Sequence, residues 1–409
     1  MAQSTPHANQ LRVGLVGLGR AGSAFVPPIV RHPGLTISAA AEVDRETLER
    51  FGRDFPVHLY SDVEALCKDA DVDVVYVATP THFHTEHVLT ALEHHKHVLV
   101  AKPMAITLED GQRMVASAER NDVRLIEAHP QSMEAPVLKM RAVIESGIIG
   151  GLRMLHNWSY QGWLYGVRLP EELDTKLGGG VTFRQGAHQF DILRLIGGGS
   201  VRSVRAMTGV WDMERPTEGA HVAFLDFSDG TVATAVLNGY GGFKISELTF
   251  GLGEGGAPDG PARGGSRRSR PSADLPPAEV AKLKKLRGYG LEDSTPPERD
   301  PARGQPFYGL TIVSCERGDM RQSRDGLSIY GRDRQWEERL PSSKSGRDFV
   351  LDELYRSVAH DVTPVHDGPW SLATLELTLA VLRSSRERSE IMLEHQVPLR
   401  ISAEEVLGW

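Results

Sequence analysis

The chain has 409 residues, of which 40% are hydrophobic and 24% charged, and its formal net charge at pH 7 is -8. Two domains are expected because this length exceeds what one hydrophobic core usually supports. The mild net charge argues against a nucleic-acid partner, and a membrane partner is not expected either. Cys67 and Cys315 are too few for a disulfide framework, and no apolar stretch resembles a signal peptide or a membrane span. A soluble, cytoplasmic protein is therefore expected.

The first third of the chain alternates between short apolar runs and helical patterns. Strands are predicted at 11–16, 35–43, 72–78, 97–100 and 123–126, and helices at 21–31, 45–54, 63–68, 86–94 and 108–120. Pro27 and Pro28 are expected to shorten or bend the first helix. Such alternation predicts an α/β domain at 1–130 with a doubly wound parallel sheet, the Rossmann arrangement.

The rhythm changes after Pro130. Helices are predicted at 135–146, 189–196, 348–360 and 371–390, and strands at 152–160, 200–210, 221–227 and 231–237. We expect a second, α+β domain at 131–409 with a mainly antiparallel open sheet.

A Gly-, Pro- and Arg-rich stretch at about 251–306 interrupts the second domain. Its basic residues are Arg263, Arg267, Arg268, Arg270, Lys282, Lys284, Lys285 and Arg287. A solvated loop is the favoured interpretation, and contact with an acidic partner is the alternative.

A glycine-rich turn follows the first predicted strand, with the sequence Gly17-Leu18-Gly19-Arg20-Ala21-Gly22. In this context Gly17 permits a tight turn, Gly19 lets a pyrophosphate approach the backbone, and Gly22 allows close helix packing. The helix N-terminus, including Arg20 and Ala21, supplies amide donors for phosphates. Asp44 is placed to bind the adenosine ribose hydroxyls and favours NAD, whereas Arg45 leaves NADP possible.

Three further segments carry polar side chains at positions suited to a ligand. Thr79, Pro80 and His84 follow one predicted strand, and Lys102 follows the next. Because the carboxyl ends of parallel strands share one edge, both segments should border the same crevice. In the second half, a turn of three glycines precedes Arg184 and His188.

This ordered set of motifs resembles the Gfo/Idh/MocA oxidoreductase family, and the resemblance spans both domains. Further segments resemble the phthalate dihydrodiol dehydrogenase branch of that family. They are 163–165, 170–174, 178–191, 208–211 and 366–368. The resemblance implies that Lys102 and His188 share the substrate hydroxyl proton while hydride leaves for the nicotinamide. It also implies that Thr79, Pro80 and His84 lie beside the cofactor and that Trp163 and Tyr165 lie beside the substrate.

Two positions depart from the family pattern. Ala101 stands where the family commonly has a glutamate before Lys-Pro, so the geometry of the cofactor is less defined. Arg184 stands where an aspartate is common four residues before the histidine. A guanidinium there favours an anionic substrate, because arginine pairs with carboxylates through two parallel hydrogen bonds. Arg168 is a second possible carboxylate ligand, with a structural ion pair as the alternative.

The leading hypothesis is NAD(P)-dependent oxidation of a cis-dihydrodiol of an aromatic carboxylate to the catechol. The alternatives are oxidation of a ring hydroxyl of a sugar, glycoside or cyclitol, and a non-catalytic dinucleotide sensor. A metal site is not expected from the scattered histidines, which are His82, His84, His87, His94, His95 and His97. A homo-oligomer, dimer or tetramer, is expected, as is usual among similar proteins.

Overall fold

The computed structural model describes residues 10–259, 275–286, 288–290, 303–341 and 344–409. The chain divides into two compact units. The first comprises the described residues of Met1–Ala128, Lys282–Thr295 and Val350–Leu372. The second comprises those of His129–Ala281, Pro296–Phe349 and Ala373–Trp409. Five basic residues of the predicted insertion lie outside the described residues, namely Arg263, Arg267, Arg268, Arg270 and Arg287.

The first unit is built on a six-stranded parallel sheet with the strand order β3-β2-β1-β4-β5-β6, which confirms the predicted doubly wound arrangement. The strands are β1 (Leu11–Val16), β2 (Leu35–Ala41), β3 (His58–Tyr60), β4 (Val74–Val77), β5 (His97–Ala101) and β6 (Leu125–Ala128). The helices between them are α1 (Arg20–Arg31), α2 (Arg45–Asp54), α3 (Val63–Cys67), α4 (His84–Glu93) and α5 (Leu108–Arg120). The short edge strand β3 was not predicted, because its sequence is only three residues long and largely exposed.

Helix α1 runs to Arg31 without a break, so the prediction that Pro27 and Pro28 shorten it is wrong. Both prolines lack the N–H group of a helical hydrogen bond. Burial of Phe25, Val26 and Ile29 along one face offsets that loss.

The second unit contains a nine-stranded sheet with the order β14-β13-β12-β11-β7-β10-β9-β8-β15. Its strands are β7 (Leu152–Tyr160), β8 (Val201–Gly209), β9 (Ala220–Phe227), β10 (Val232–Asn238), β11 (Leu310–Cys315), β12 (Gly318–Gln322), β13 (Gly326–Gly331), β14 (Gln335–Arg339) and β15 (Ile391–Met392). Every pairing is antiparallel except that of β7 with β10, so the predicted, mainly antiparallel sheet is confirmed. Strands β11 to β15 were not predicted; each has six residues or fewer.

Six helices complete the described chain. They are α6 (Ala135–Glu145), α7 (Ala187–Gly197), α8 (Pro277–Lys285), α9 (Gly346–Ala359), α10 (Gly368–Glu387) and α11 (Ala403–Leu407). Helix α8 lies within the stretch that was predicted to be a solvated loop. Among the residues that the structure describes, none of the helices combines the length and the hydropathy of a membrane span.

One face of the second sheet carries an exposed apolar row. The strand registers place five side chains in line across β8, β9, β10, β7 and β11: Met207, Val222, Val236, Trp158 and Leu310. Val222 is 56% exposed and Trp158 is 39% exposed. Alternate residues of the same strands, such as Leu155, Ala235 and Leu225, are buried on the opposite face.

A buried polar network holds α7 against that opposite face. Gln189 Nε2 lies within hydrogen-bond distance of Asn157 O (2.9 Å), Asn157 Oδ1 (2.7 Å) and Val236 O (3.1 Å). His221 Nε2 donates to Gln189 Oε1 at 2.8 Å, and the Thr182 hydroxyl donates to His221 Nδ1 at 3.1 Å. Burial lowers the pKa of His221 to about 3, so the imidazole is neutral at pH 7 and its Nδ1 accepts from Thr182.

His221 should make the folded state sensitive to acid. The ordinary pKa of histidine is 6.5, so below that pH the unfolded chain binds a proton that the folded chain refuses. The stabilisation is complete above pH 6.5 and is lost as the pH falls towards 3, at about 1.4 kcal/mol per pH unit. The unfolding free energy of His221→Gln should therefore fall less steeply with decreasing pH than that of the unmodified protein. Urea titrations at pH 7, 6 and 5 measure this difference.

The matched control is His58→Gln. His58 is exposed, and its hydrogen bond with Asp69 raises its pKa, so removing it should not reduce the acid sensitivity. Equal slopes for His221→Gln and the unmodified protein would contradict the assignment.

Candidate active site

Of the three glycines in the turn of the first unit, one leaves space beside its backbone for a ligand. Gly17 has φ +90°, and a Cβ there would lie 2.9 Å from Ala78 O. A Cβ on Gly22 would lie 2.0 Å from Gly17 O. Gly19 is exposed, and no described atom lies within 4 Å of where its Cβ would be. The turn thus needs glycine at two positions for its own folding and keeps the third open.

The open position lies at the N-terminus of α1. Gly19 is the N-cap residue, and no side chain of the described residues caps it. The neighbouring Arg20 and Ala21 are exposed. Exposed amide groups at a helix N-terminus attract phosphate oxygens, so the residues present fit the pyrophosphate of a dinucleotide.

Glu42 supports the turn, and the sequence interpretation did not include it. One carboxylate oxygen accepts the Leu18 amide at 2.7 Å, and the other accepts the Asp44 amide at 3.1 Å. The acidic residue directly after β2 thereby joins the glycine turn to the start of α2. An acidic residue directly after a strand indicates a functional position, and the sequence interpretation applied that indication to Asp44 only.

Asp44 has structural partners in addition to its predicted ribose contact. Its Oδ2 caps α2 by accepting the Thr47 amide at 3.0 Å and the Thr47 hydroxyl at 2.6 Å. Its Oδ1 lies 2.8 Å from Lys285 Nζ, and the hydrogen bond from Lys285 is the main cause of a lowered Asp44 pKa. Arg45, next in sequence, has a side chain that is 90% exposed and contacts Glu49.

His84 joins the loops that follow β4 and β5. Its Nδ1 lies 2.9 Å from Pro103 O, and its Nε2 lies 2.9 Å from Thr79 O. The side chain is 1% exposed, and its ring positions the two segments that carry Thr79 and Lys102. Its place beside the cofactor stays a prediction.

The remaining residues at this edge are more accessible. Pro80 is exposed, and Lys102 and Thr79 are half-buried at the ends of their strands. The Thr79 hydroxyl lies 3.0 Å from His87 Nδ1. His94 and His97 contact different groups, Thr90 O and the Arg124 amide, so these histidines do not converge on one point.

In the second unit, a glycine turn leads into an unusual helical segment. Gly178 and Gly180 have φ +74° and +89°, and a Cβ on Gly180 would lie 1.9 Å from Glu218 Oε1. A π-helical turn, Thr182–Gly186, follows and runs directly into α7. π-helical turns occur frequently at functional sites. This one carries Arg184, and the next turn carries His188.

The side chain of Arg184 is three-quarters buried, and its polar contacts include Glu172 and Gly178. Its Nη2 lies 3.9 Å from Glu172 Oε1, and its Nη1 lies 3.5 Å from Gly178 O. Burial lowers the pKa of the guanidinium. A guanidinium at this position can pair with a carboxylate through two parallel hydrogen bonds.

His188 lies between two aromatic rings that the sequence interpretation missed. The ring centres of His129 and Tyr308 are 6.3 Å and 5.3 Å from that of His188. The Tyr308 hydroxyl donates to Gln185 O at 2.8 Å, and burial raises its pKa well above the ordinary value. Tyr308 therefore stays neutral and shapes the wall beside His188. Tyr308 lies just after the predicted insertion and belongs to no recognised motif.

Asp191 has a structural role. Its oxygens accept hydrogen bonds from the Ser132 hydroxyl and, at 3.1 Å, from the Thr374 hydroxyl. The buried guanidinium of Arg194 donates to the same Thr374 oxygen at 2.6 Å. Asp191 thus anchors α7 on the side away from solvent.

Three predicted substrate residues belong to one loop and interact mainly with each other or the core. The Arg168 guanidinium lies 4.0 Å above the Trp163 ring and donates to Trp163 O at 2.9 Å. Tyr165 is 3% exposed and packs in a cluster with Val181 and Tyr240. The ring of Tyr165 therefore stabilises the loop, and Arg168 stacks on Trp163. Contacts of these residues with a substrate stay predictions.

Neither cysteine has the properties of a nucleophile. Burial raises the pKa of the Cys67 thiol to about 12 and that of Cys315 to about 11. Both remain thiols at neutral pH, and a thiol reacts far more slowly than a thiolate.

Two family models match the chain. Residues 11–129 match the model described as "Oxidoreductase family, NAD-binding Rossmann fold", and residues 137–242 match the GFO/IDH/MocA C-terminal domain.

Similar proteins extend the match to almost the whole chain. A 1-carboxy-3-chloro-3,4-dihydroxycyclohexa-1,5-diene dehydrogenase of Comamonas testosteroni is 36% identical over 377 residues, which are 92% of this chain and 95% of that protein. A crystal structure from Bordetella bronchiseptica RB50, described as a dehydrogenase, is 34% identical with a TM-score of 0.87 and covers 94% of this chain and 100% of its own.

A more distant likeness supports the fold alone. The WlbA dehydrogenase of Bordetella pertussis, solved with NADH and UDP-GlcNAcA, is 20% identical with a TM-score of 0.69, over 95% of this chain and 99% of that one. Together with the glycine turn and the strand order, these matches place the chain in the Gfo/Idh/MocA family of NAD(P)-dependent oxidoreductases.

Proposed function

We propose that this oxidoreductase oxidises a cis-dihydrodiol of an aromatic carboxylate, of the phthalate 4,5-dihydrodiol type, to the corresponding catechol. Removing a hydride from one carbinol carbon and a proton from its hydroxyl gives a hydroxy-ketone. The hydroxy-ketone tautomerises to an aromatic ring, which draws the reaction forward. The observation that carries the proposal is a largely buried guanidinium, Arg184, four residues before His188 on one helical segment.

Arg184 supports an anionic substrate through its surroundings as well as its charge. The π-helical turn fixes its backbone, and its side chain is three-quarters buried, so little freedom is lost when a ligand binds. A carboxylate accepts two parallel hydrogen bonds from a guanidinium. The name of the Comamonas testosteroni relative describes a carboxylated cyclohexadiene diol, which has the same combination of groups.

Lys102 and His188 are the proposed proton-transfer residues. His188 would accept the hydroxyl proton, since an imidazole titrates near working pH. Lys102 would stabilise negative charge that develops on the oxygen. His84 fixes the loop of Lys102, and Gln189 fixes the helix turn of His188. Both proton-transfer residues are thus attached to rigid elements.

The first unit would hold NAD through the glycine turn and Asp44. Gly19, Arg20 and Ala21 would face the pyrophosphate, and Asp44 the adenosine ribose. When bound, the nicotinamide supplies the acceptor for the hydride. The half-buried Thr79 and the exposed Pro80 would border the nicotinamide half.

The exposed apolar row of the second sheet is the proposed contact with a second copy of the chain, in a dimer or tetramer. Five apolar side chains in line on neighbouring strands form a contiguous patch, and such patches commonly mark interfaces. A twofold axis would pair the patch with itself.

Substituting Arg184 should affect carboxylated substrates selectively. Arg184→Gln should lower kcat/KM for a carboxylated cis-dihydrodiol roughly 10- to 150-fold, mainly through KM, because a charge-assisted hydrogen bond contributes about 1.5–3 kcal/mol. The test is NADH absorbance in a screen of carboxylated dihydrodiols, uncharged dihydrodiols and sugars, with NAD and NADP in parallel. The matched variant His188→Asn should instead lower kcat, roughly 10²- to 10⁴-fold.

Full activity of Arg184→Asp on carboxylated dihydrodiols would rule out the proposed anion site. Turnover of sugars alone would favour the ring-hydroxyl alternative. NADH binding without turnover of any alcohol would favour a sensor.

The three glycines should separate folding from cofactor binding. Gly19→Ala should leave the melting temperature nearly unchanged and weaken NAD binding roughly tenfold or more, since the added methyl group occupies space kept for the pyrophosphate. Gly22→Ala should lower the melting temperature by several degrees, because its Cβ meets a backbone carbonyl and overpacking costs about 1–3 kcal/mol. Differential scanning fluorimetry and calorimetric titration with NAD measure both effects. Unchanged NAD affinity in Gly19→Ala would contradict the placement.

The apolar row should control the oligomeric state. Val222→Glu places a charge at its middle and should reduce the mass measured by light scattering to that of one chain, with NAD affinity retained. Ile148→Glu, at a position outside the sheet that is 54% exposed, is the control and should leave the mass unchanged. An unchanged mass for Val222→Glu would place the interface elsewhere.

A further inference from the structure

The end of α8 and the residues after it pack on the first unit beside Asp44. The Tyr289 amide donates to Leu18 O at 3.0 Å, and Arg50 Nη1 donates to Tyr289 O at 3.0 Å. The Tyr289 ring lies edge-on to Phe51, with centres 4.8 Å apart, and its hydroxyl donates to Asp54 at 2.9 Å. Part of the predicted solvated insertion is thus attached to both the glycine turn and α2.

These contacts bring a lysine to the residue that is proposed to bind the adenosine ribose. Lys285 Nζ lies 2.8 Å from Asp44 Oδ1 and 3.2 Å from Glu46 Oε2. Its side chain is 43% exposed, so the ammonium group remains accessible from solvent. The guanidinium of Arg45 is also exposed, next in sequence to Asp44.

We infer that Lys285 accepts the 2′-phosphate of NADP, so that the ribose site takes NADP as well as NAD. Asp44 binds the 2′-hydroxyl of NAD and would repel a 2′-phosphate if it acted alone. Lys285 offsets that repulsion and offers a cation to the phosphate. Arg45, which directly follows Asp44 in sequence, adds a second exposed cation. The inference rests on the proposed position of the ribose at Asp44.

The charges around Lys285 support a reversible exchange of partners. The neighbouring charged groups of α2 and its cap are Asp44, Arg45, Glu46, Glu49 and Arg50. Exposed ion pairs of this kind contribute little to stability, so Lys285 loses little when it turns from a carboxylate to a phosphate. A phosphate monoester carries a charge near -2 at neutral pH and is the stronger partner.

The test measures binding without turnover. Calorimetric titrations with NAD⁺, NADP⁺, 5′-ADP and 2′,5′-ADP are made on the unmodified protein, Lys285→Gln and Lys282→Gln. Lys282 lies one turn earlier on α8, is exposed, and serves as the matched control. We expect Lys285→Gln to weaken NADP⁺ and 2′,5′-ADP at least tenfold and to change NAD⁺ and 5′-ADP by less than twofold. Lys282→Gln should change none of the four.

Three results would overturn the inference: equal weakening of both cofactors by Lys285→Gln, no weakening of NADP⁺, or an unmodified protein that does not bind NADP⁺. Asp44→Ala separates this inference from the proposed ribose position. If Asp44→Ala weakens NAD⁺ while Lys285→Gln leaves 2′,5′-ADP unchanged, only the inference about Lys285 fails. If Asp44→Ala leaves NAD⁺ binding unchanged, the ribose position fails too.

Discussion

The site in the second unit depends on a single buried amide. Gln189 has two N–H protons and three backbone or side-chain oxygens of β7 and β10 within reach, and its own oxygen accepts from His221. A buried amide without such partners would cost several kcal/mol. Helix α7 is therefore most stable in the position along the sheet at which Gln189 makes these hydrogen bonds. Gln189 directly follows His188. The register that satisfies the amide therefore also sets the direction of the imidazole.

The first unit uses backbone atoms for a similar purpose. Glu42 binds two amides at the ends of the glycine turn, and His84 contacts two carbonyls at the ends of β4 and β5. Loops at the carboxyl edge of a parallel sheet have few ladder hydrogen bonds of their own. Two side chains thus replace the missing ladder at the positions where a ligand is expected.

The sequence predicted what depends on short-range patterns and missed what depends on distant partners. Helix α2 and strand β7 were predicted to the residue, because caps and alternation lie within a few positions. Gly17 and Gly22 were recognised because their steric need is part of the motif. The contacts of Tyr308 with His188 and of Lys285 with Asp44 join residues more than a hundred positions apart, and no local pattern encodes them. Burial of His84 and Tyr165 was also missed, because it depends on tertiary packing and not on a local motif.

The parallel pairing of β7 with β10 has a consequence for how this fold can diversify. Parallel neighbours need a long connection, and here that connection, residues 161–231, contains the π-helical turn, Arg184 and His188. The two flanking strands are held by their own ladder and by Gln189. Substitutions in the turn can therefore change the charge at this position while the sheet keeps its register. The connection between β7 and β10 is thus a segment in which side-chain chemistry can vary independently of the strand pairing.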